Sequence, residues 1–457
     1  MMTTNHQPIN QSVNYTTFRT FAIIWAGQLV SIIGTGMSRF ALLIWAYQQT
    51  GAATTLALLG FFSWIPFVLI SPAAGVWVDR WDRRKVMLFA DLGAAVMTLI
   101  VLLLLLLGKL AIWHLFLLEA VASACEAFQS PAYSALTTVL LPKEYYGRAN
   151  GMRSMAQDAG LVGGPLLGGV VLAFVGLQGV LWIDLATFFV AFGTLLWVRI
   201  PRLFSHGDMN EPTPTSFWRQ MRVGFAFLYR HKGLLGLTLF FTGIMFFATL
   251  TYFSVLPALI LSRTGGDELV LATVQSTLGV AGIAGGLTVS LWGLPRRKIH
   301  AVLGATAISF FGDLLFAIGH SLPLWVIAAS LAAFTIPFIT TANQTINQLK
   351  IPPQIQGRVF SVQNMLRNLT APLGYLLAGP LADHVFGPAM AVDGPWAATL
   401  GWLVGSGPGA GIALMFVCTA LCGSTMSLGA YLIPAIRRVE VDLPDYDCPT
   451  DPPYQAT

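Results

Sequence analysis

The sequence predicts an all-α membrane protein, with twelve transmembrane helices in two six-helix bundles related by pseudo-two-fold symmetry. Three observations carry this. Of 457 residues, 55% are hydrophobic and only 10% charged, whereas about a quarter are charged in soluble domains. The apolar residues gather into runs of the length a spanning helix needs, about 20 residues. A set of residues in the first half recurs in the second at a constant offset.

In chain order, residues 1–17 are polar and lack the basic start, apolar core and small-residue cleavage site of a secretory signal. They read as a cytoplasmic tail. Spans are expected at 18–46, 52–78, 85–108, 111–141, 147–174, 178–199, 222–261, 269–293, 299–319, 322–349, 357–383 and 410–436. The seventh is open at its start: Arg219 to Lys232 reads either as its beginning or as a separate amphipathic helix on the membrane surface. Residues 201–218, with Pro201, Gly207, Pro212 and Pro214, form a linker between bundles at 18–200 and 219–438. The tail at 439–457 sets Asp442, Asp445, Asp447 and Asp451 among prolines and is expected to be disordered.

Orientation follows from the hairpin Gly75 to Lys85, which carries six charges in the seven residues from Asp79. Lys and Arg are retained on the cytoplasmic side. Placing both termini inside leaves only Lys109 and Arg263 in outer loops, so a multi-pass protein of a bacterial-type inner membrane is expected. Because the basic residues sit at the ends of apolar segments, the net charge of +5 does not describe a nucleic-acid surface. There is no metal-spaced histidine cluster, nucleophile elbow or phosphate loop, and Cys125, Cys418, Cys422 and Cys448 lack zinc-like spacing. An enzyme, a cofactor and a metal site are therefore not expected.

The repeat is specific. Leu141-Pro142 followed by Gly147-Arg148 recurs as Ile351-Pro352 followed by Gly357-Arg358. Met155, Gly164 and Gly169 then align with Met365, Gly374 and Gly379. The hairpin recurs as Gly293 to Lys298, which keeps the positive charges and loses the Asp-Arg pair, so Asp79 is not needed for orientation. Parallel repeats of this kind mark a two-bundle carrier with its site near the midplane between the repeats.

Ionisable groups inside a bilayer are costly and default to function. Glu119 and Glu126 lie seven residues apart, on nearly one face of helix four. A carboxylate in apolar surroundings is more easily protonated, the property a proton carrier needs; hydrogen bonding to a neighbouring helix is the plainer role. Asp158 either shares a proton path with Glu126 or makes a polar packing contact. Arg39 either snorkels outward or pairs with an acid. Asp91 stands two turns above Arg84 and is assigned to the hairpin's charge network. Asp184, Asp313 and Arg367 read as structural charges. Asn343 and Gln344, in a polar run on helix ten, read as ligand contacts or as interhelical hydrogen bonds. Gly160, Gly164 and Gly168 recur at four-residue spacing, so another helix can approach closely, and Pro165 bends the same helix.

These residues resemble the major facilitator superfamily over about 18–436. Gly75-x-x-x-Asp79-Arg80-x-x-Arg83-Arg84-Lys85 is similar to its signature loop between helices two and three. Gly151, Gly160, Gly164-Pro165 and Gly168-Gly169 resemble the helix-five pattern of its antiporters. Ser71 to Gly75, Gly379 to Asp383 and Gly405 to Phe416 look like its macrolide-efflux branch of drug:proton antiporters. The resemblance implies export of a bulky amphiphilic small molecule, a macrolide-like drug or natural product, in exchange for protons by a monomer in the lipid bilayer. It points the face of Glu119 and Glu126 at the substrate path, although many proton antiporters of the superfamily carry an arginine on helix four and this one has none. Asp79 is expected to lock the inner ends of the bundles, by a charge contact or by capping a helix N-terminus. Proton-coupled uptake is the alternative, which the helix-five pattern opposes; a lipid scramblase or a non-transporting receptor leaves the motif pair unexplained.

Overall fold

The computed structural model describes residues 11–141, 145–198, 217–352 and 355–445, and all regular structure among them is helical. The linker at 199–216, the tail from 446 and the side chains of residues 75–80 and 83 lie outside the described residues. The expected roles of Asp79, Arg80 and Arg83 fall there.

The first half holds α1 (Gln11–Thr50), α2 (Ala53–Arg80), α3 (Arg83–Leu106), α4 (Ile112–Leu140) and α5 (Tyr146–Trp197). Asp82 caps α3, accepting from the backbone N–H groups of Arg84 and Lys85, two of the donors a helix start leaves free. At about 1.5 Å per residue, the 52 residues of α5 are more than twice as long as the roughly 30 Å hydrocarbon core. The chain breaks at Gly176, whose φ of 72° suits glycine. Contacts with α1 show that it turns back. Trp25 donates to the carbonyl of Met152 at 2.7 Å while Gly27 abuts Thr194; farther along, Gly36 abuts Gly160 and Gly164 while Gly34 abuts Thr187. Both arms of α5 thus run side by side along α1.

The second half opens with α6 (Phe217–Arg230), a separate amphipathic helix, so the seventh span starts at Lys232 and runs to Thr264, not over 222–261. It comprises α7 (Lys232–Ala248), a π-helical turn at Thr249–Phe253 and α8 (Leu256–Thr264). Then follow α9 (Glu268–Trp292), α10 (Lys298–Ile318), α11 (Leu322–Phe334), α12 (Ile336–Lys350), α13 (Gln356–Leu369) and α14 (Ala371–Pro380). After a second π-turn at Leu381–Phe386 come α15 (Gly387–Ala389), α16 (Ala397–Val404), α17 (Ala410–Leu432), α18 (Pro434–Arg437) and α19 (Val439–Asp442). Three paths break at Val255, Thr335 and Thr370, each two residues before Pro257, Pro337 or Pro372. Proline lacks the N–H and its ring clashes with the preceding turn.

Nine helices among the described residues are long and apolar enough to cross a membrane, so the twelve expected spans are not all read directly. One of the nine contains the fold-back at Gly176, the eleventh path is divided at Thr370, and α4 carries Glu119 and Glu126 within its apolar run.

The start of the C-terminal tail differs from expectation. Lys350, 4% exposed, donates to the carbonyls of Glu440 and Leu443 and pairs with Asp445 at 2.6 Å. Glu440 accepts from the N–H of Ile299 at 2.9 Å and so caps α10. A buried ammonium requires acceptors, and residues 439–445 are docked to supply them.

The chain forms two compact units. One contains Met1–Leu42 and Phe62–His206; the other contains Leu43–Phe61 and Gly207–Thr457. The units depart from the expected bundles because the tip of the first helical hairpin clusters with the second half. There Asp383 accepts from the N–H groups of Ala53 at 3.0 Å and Thr54 at 2.7 Å, and Gly379 lies against Thr54.

Candidate functional site

In the first unit the glycine face of α5 seats α1. A Cβ at Gly164 would lie 2.8 Å from the carbonyl carbon of Gly36, and one at Gly168 would lie 3.1 Å from the Cα of Met37. Arg39, one turn beyond Gly36, is thereby set against α4. Its Nε lies 3.3 Å from Glu119 Oε1 and its Nη2 donates to Glu126 Oε2 at 2.8 Å. One guanidinium bridges two carboxylates two helical turns apart, leaving a formal charge of minus one on the group.

This corrects the expected setting of the two glutamates. They are ion-paired and open to the surface, at 21% and 47% side-chain exposure, and not enclosed in apolar side chains. Arg39 pairs and does not snorkel; α1 supplies the arginine that α4 lacks. Asp158 is exposed and, among the described residues, forms no hydrogen bond or ion pair with this group.

Asp91 also differs from expectation. It is buried and accepts from Gln28 Nε2 at 3.0 Å and from Gln129 Nε2. Arg84 instead donates to the carbonyls of Leu195 at 2.9 Å and Leu196 at 2.7 Å. The carbonyls at the end of α5 lack helical donors and suit the guanidinium fork, while amides on α1 and α4 satisfy the acid. Asp184 is buried against the hydroxyls of Thr35 and Thr98, both at 3.2 Å.

The second unit has neutral amides at its centre. Asn347 Nδ2 donates to Asn343 Oδ1 at 3.2 Å, and Gln363 Nε2 donates to Asn347 Oδ1 at 3.0 Å and to Thr238 Oγ1 at 3.2 Å. Asn343 therefore belongs to the interhelical network, while Gln344, about 100° round the helix, is exposed. Asp313 is buried on α10. The sequence reading missed Gln28, Gln129, Thr238 and Gln363; the signal was available as polar side chains within apolar spans. No group of three or more metal-binding side chains occurs among the described residues.

The repeated helical paths and intramembrane polar centres define a multi-pass membrane transporter. The profile described as Major Facilitator Superfamily matches residues 24–375, and the chain belongs to that family. It is 28% identical over 370 residues to macrolide efflux protein A of Streptococcus pyogenes, covering 80% of this chain and 90% of that one. Multidrug efflux pump Tap of Mycolicibacterium fortuitum is 26% identical, with 79% and 88% covered. Among solved structures, a bacterial homologue of the human lysosomal transporter Spinster, inward-facing and unoccupied, aligns with a TM-score of 0.64 at 16% identity, covering 92% of this chain and 98% of that one. A bacterial homologue of ferroportin, inward-facing, aligns at 0.63 and 16%, covering 90% and 98%.

Proposed function

We propose that the protein is a secondary active exporter of a bulky amphiphilic compound, macrolide-like in size, exchanged for protons by alternating access. It acts as a monomer in a bacterial inner membrane with both termini cytoplasmic. The observation that carries this is the bridge from Arg39 to Glu119 and Glu126. One cation between two carboxylates leaves a single negative charge, which one proton or one cationic group of a substrate neutralises. Binding either lowers affinity for the other, the thermodynamic requirement for exchange. Asp158 is a second station on the proton path, and Asn343 and Gln344 meet substrate.

Gating falls to the remaining motif residues. Gly160, Gly164 and Gly168 give α1 and α5 a flat contact on which to slide, with Gly151, Pro165 and Gly169 shaping the same helix. Gly75, Asp79, Arg80, Arg83 and Arg84 lock the cytoplasmic ends, and Asp91 ties α3 to α1 and α4 through Gln28 and Gln129. The efflux proteins among the relatives support the direction and substrate class.

In proteoliposomes, Glu126→Gln should abolish transport driven by a proton gradient while leaving substrate counterflow. Full proton-driven exchange in that variant would remove Glu126 as the carrier. In cells lacking other pumps, unchanged accumulation across a panel of macrolides and dyes would remove the export reading.

A further inference from the structure

We propose that Arg367, Gln363 and Asn343 form a subsite that receives a hydrogen-bond-accepting oxygen, carboxylate or carbonyl, on the transported molecule. Arg367 stands in the last turn of α13 and lines a small, partly open recess with Thr238, Phe241, Asn343, Asn347 and Gln363, about 10 Å³ in volume, room for one water-sized group such as a single oxygen. Its guanidinium donates to Asn364 Oδ1 and, among the described residues, pairs with no carboxylate. A cation inside the membrane without an acid requires another acceptor. The carbonyls ending α13 offer partial charge only.

The lining is built for one more partner. Asn343, Asn347 and Gln363 are 7%, 5% and 5% exposed. Their mutual bonds use Asn343 Oδ1, both groups of Asn347 and the Gln363 amide nitrogen. These bonds leave over the Asn343 N–H₂, the remaining guanidinium N–H groups and one acceptor, Gln363 Oε1, so donors outnumber acceptors around the recess. A ligand oxygen meets this requirement, while an ammonium is repelled by Arg367. Only the identity of the ligand as the exported molecule rests on the proposed function.

The test is binding, which needs no transport. Three fluorescent amphiphiles with one apolar body, ending in a carboxylate, an ester or a methyl group, are titrated into the purified full chain. The wild type should favour the carboxylate probe over the methyl probe by about tenfold or more, the scale of a hydrogen bond to a charged group, with the ester between. Arg367→Gln should erase that preference and leave the methyl probe's affinity unchanged, which also reports an intact fold. Arg367→Lys should retain part of it. An unaltered preference in Arg367→Gln, or an equal loss for all three probes, overturns the subsite. Ester and carboxylate binding equally assigns it to carbonyl oxygens. A positive result with no macrolide export would leave the subsite standing and the export reading lost.

A different observation carries a second inference: Asp383 is a releasable latch on the first turn of α2. A helix start leaves its first N–H groups free, and Ala52, which precedes α2, has no side-chain acceptor. Asp383 supplies both oxygens from 330 and 329 residues away, and Gly379 permits the approach, since a Cβ there would lie 2.3 Å from the Cα of Thr54. The spacing Gly379-x-x-x-Asp383 repeats Gly75-x-x-x-Asp79. Opening this end of the carrier requires both bonds to break together. In nanodiscs and a cysteine-free background, Thr54→Cys should label slowly with an impermeant maleimide. Asp383→Ala should speed labelling several-fold, and Asp383→Asn by less, since its amide oxygen still accepts. Labelling indifferent to both changes overturns the latch.

Discussion

The two units use one packing device around unlike centres. In the first, Gly164 of α5 lies against Gly36 of α1; in the second, the equivalent Gly374 of α14 lies against Thr249 in the π-turn after α7. Around that shared contact the first unit places an arginine between two glutamates, and the second places a chain of amides beside an arginine that pairs with no acid among the described residues. The charges left over are opposite in sign. The scaffold is thus set by where glycine permits close approach, and chemistry is free to diverge beside it. An amide network is indifferent to pH across the physiological range, so under the proposed function proton coupling would rest on the first unit and not on the second.

The largest effect is expected at Arg39. Arg39→Met leaves two carboxylates without their cation, a loss of about 1.5–3 kcal/mol per charged hydrogen bond, reduced here by partial exposure. Thermal unfolding should fall by several degrees and transport should vanish. Adding Glu119→Gln should recover stability without recovering transport, and failure of that recovery would place the defect outside the charge group. The amide network should lose less. Asn347→Leu removes its middle member, and the expected cost is about 1–3 kcal/mol from the orphaned groups of Asn343 and Gln363. Because no proton is involved, the pH profile of transport should keep its shape, and a shifted profile would tie the second unit to coupling.

The packing contacts should rank next and differ between the units. Gly164→Ala drives a Cβ to within 2.9 Å of backbone atoms of Gly36, which cannot turn aside. Overpacking of this kind costs about 1–3 kcal/mol. Gly374→Ala meets the Thr249 side chain at 2.8 Å and the Leu250 nitrogen at 3.3 Å, beside a π-turn that already departs from regular helix. Its cost should be smaller. Equal melting shifts for the two would mean that the π-turn is as rigid as α1.

Much of this was legible in advance, for physical reasons that differ by feature. Apolar runs and the placement of Arg and Lys follow from bilayer solvation, which acts on each segment separately, so the helical membrane fold could be read from composition alone. The face of Gly160, Gly164 and Gly168 announced a close helix contact, but its partner α1 is a tertiary fact. Partner choice defeated the reading of Asp91, because helical spacing puts it above Arg84 without revealing that Gln28 and Gln129 lie nearer. It also left Arg39 open, since only packing brings α1 beside α4. The breaks at Val255, Thr335 and Thr370 were not read, although each lies two residues before a proline, Pro257, Pro337 or Pro372. The docking of residues 439–445 was not legible, because the acceptors that Lys350 needs are backbone carbonyls, which any sequence carries.

Gly151 gives the smallest expected effect and the sharpest division between packing and gating. It belongs to the helix-five glycine pattern, yet nothing stands within 4 Å of where its Cβ would lie, whereas Gly160, Gly164 and Gly168 are all closely covered. On packing alone, Gly151→Ala should stabilise by about 0.5–1 kcal/mol, because alanine loses less backbone entropy in a helix. A higher melting temperature with unchanged transport would leave Gly151 without a role in either unit's contact. A higher melting temperature with reduced transport would mean that another element approaches Gly151 closely only in a second conformation, making the glycine pattern a gating surface as well as a static one.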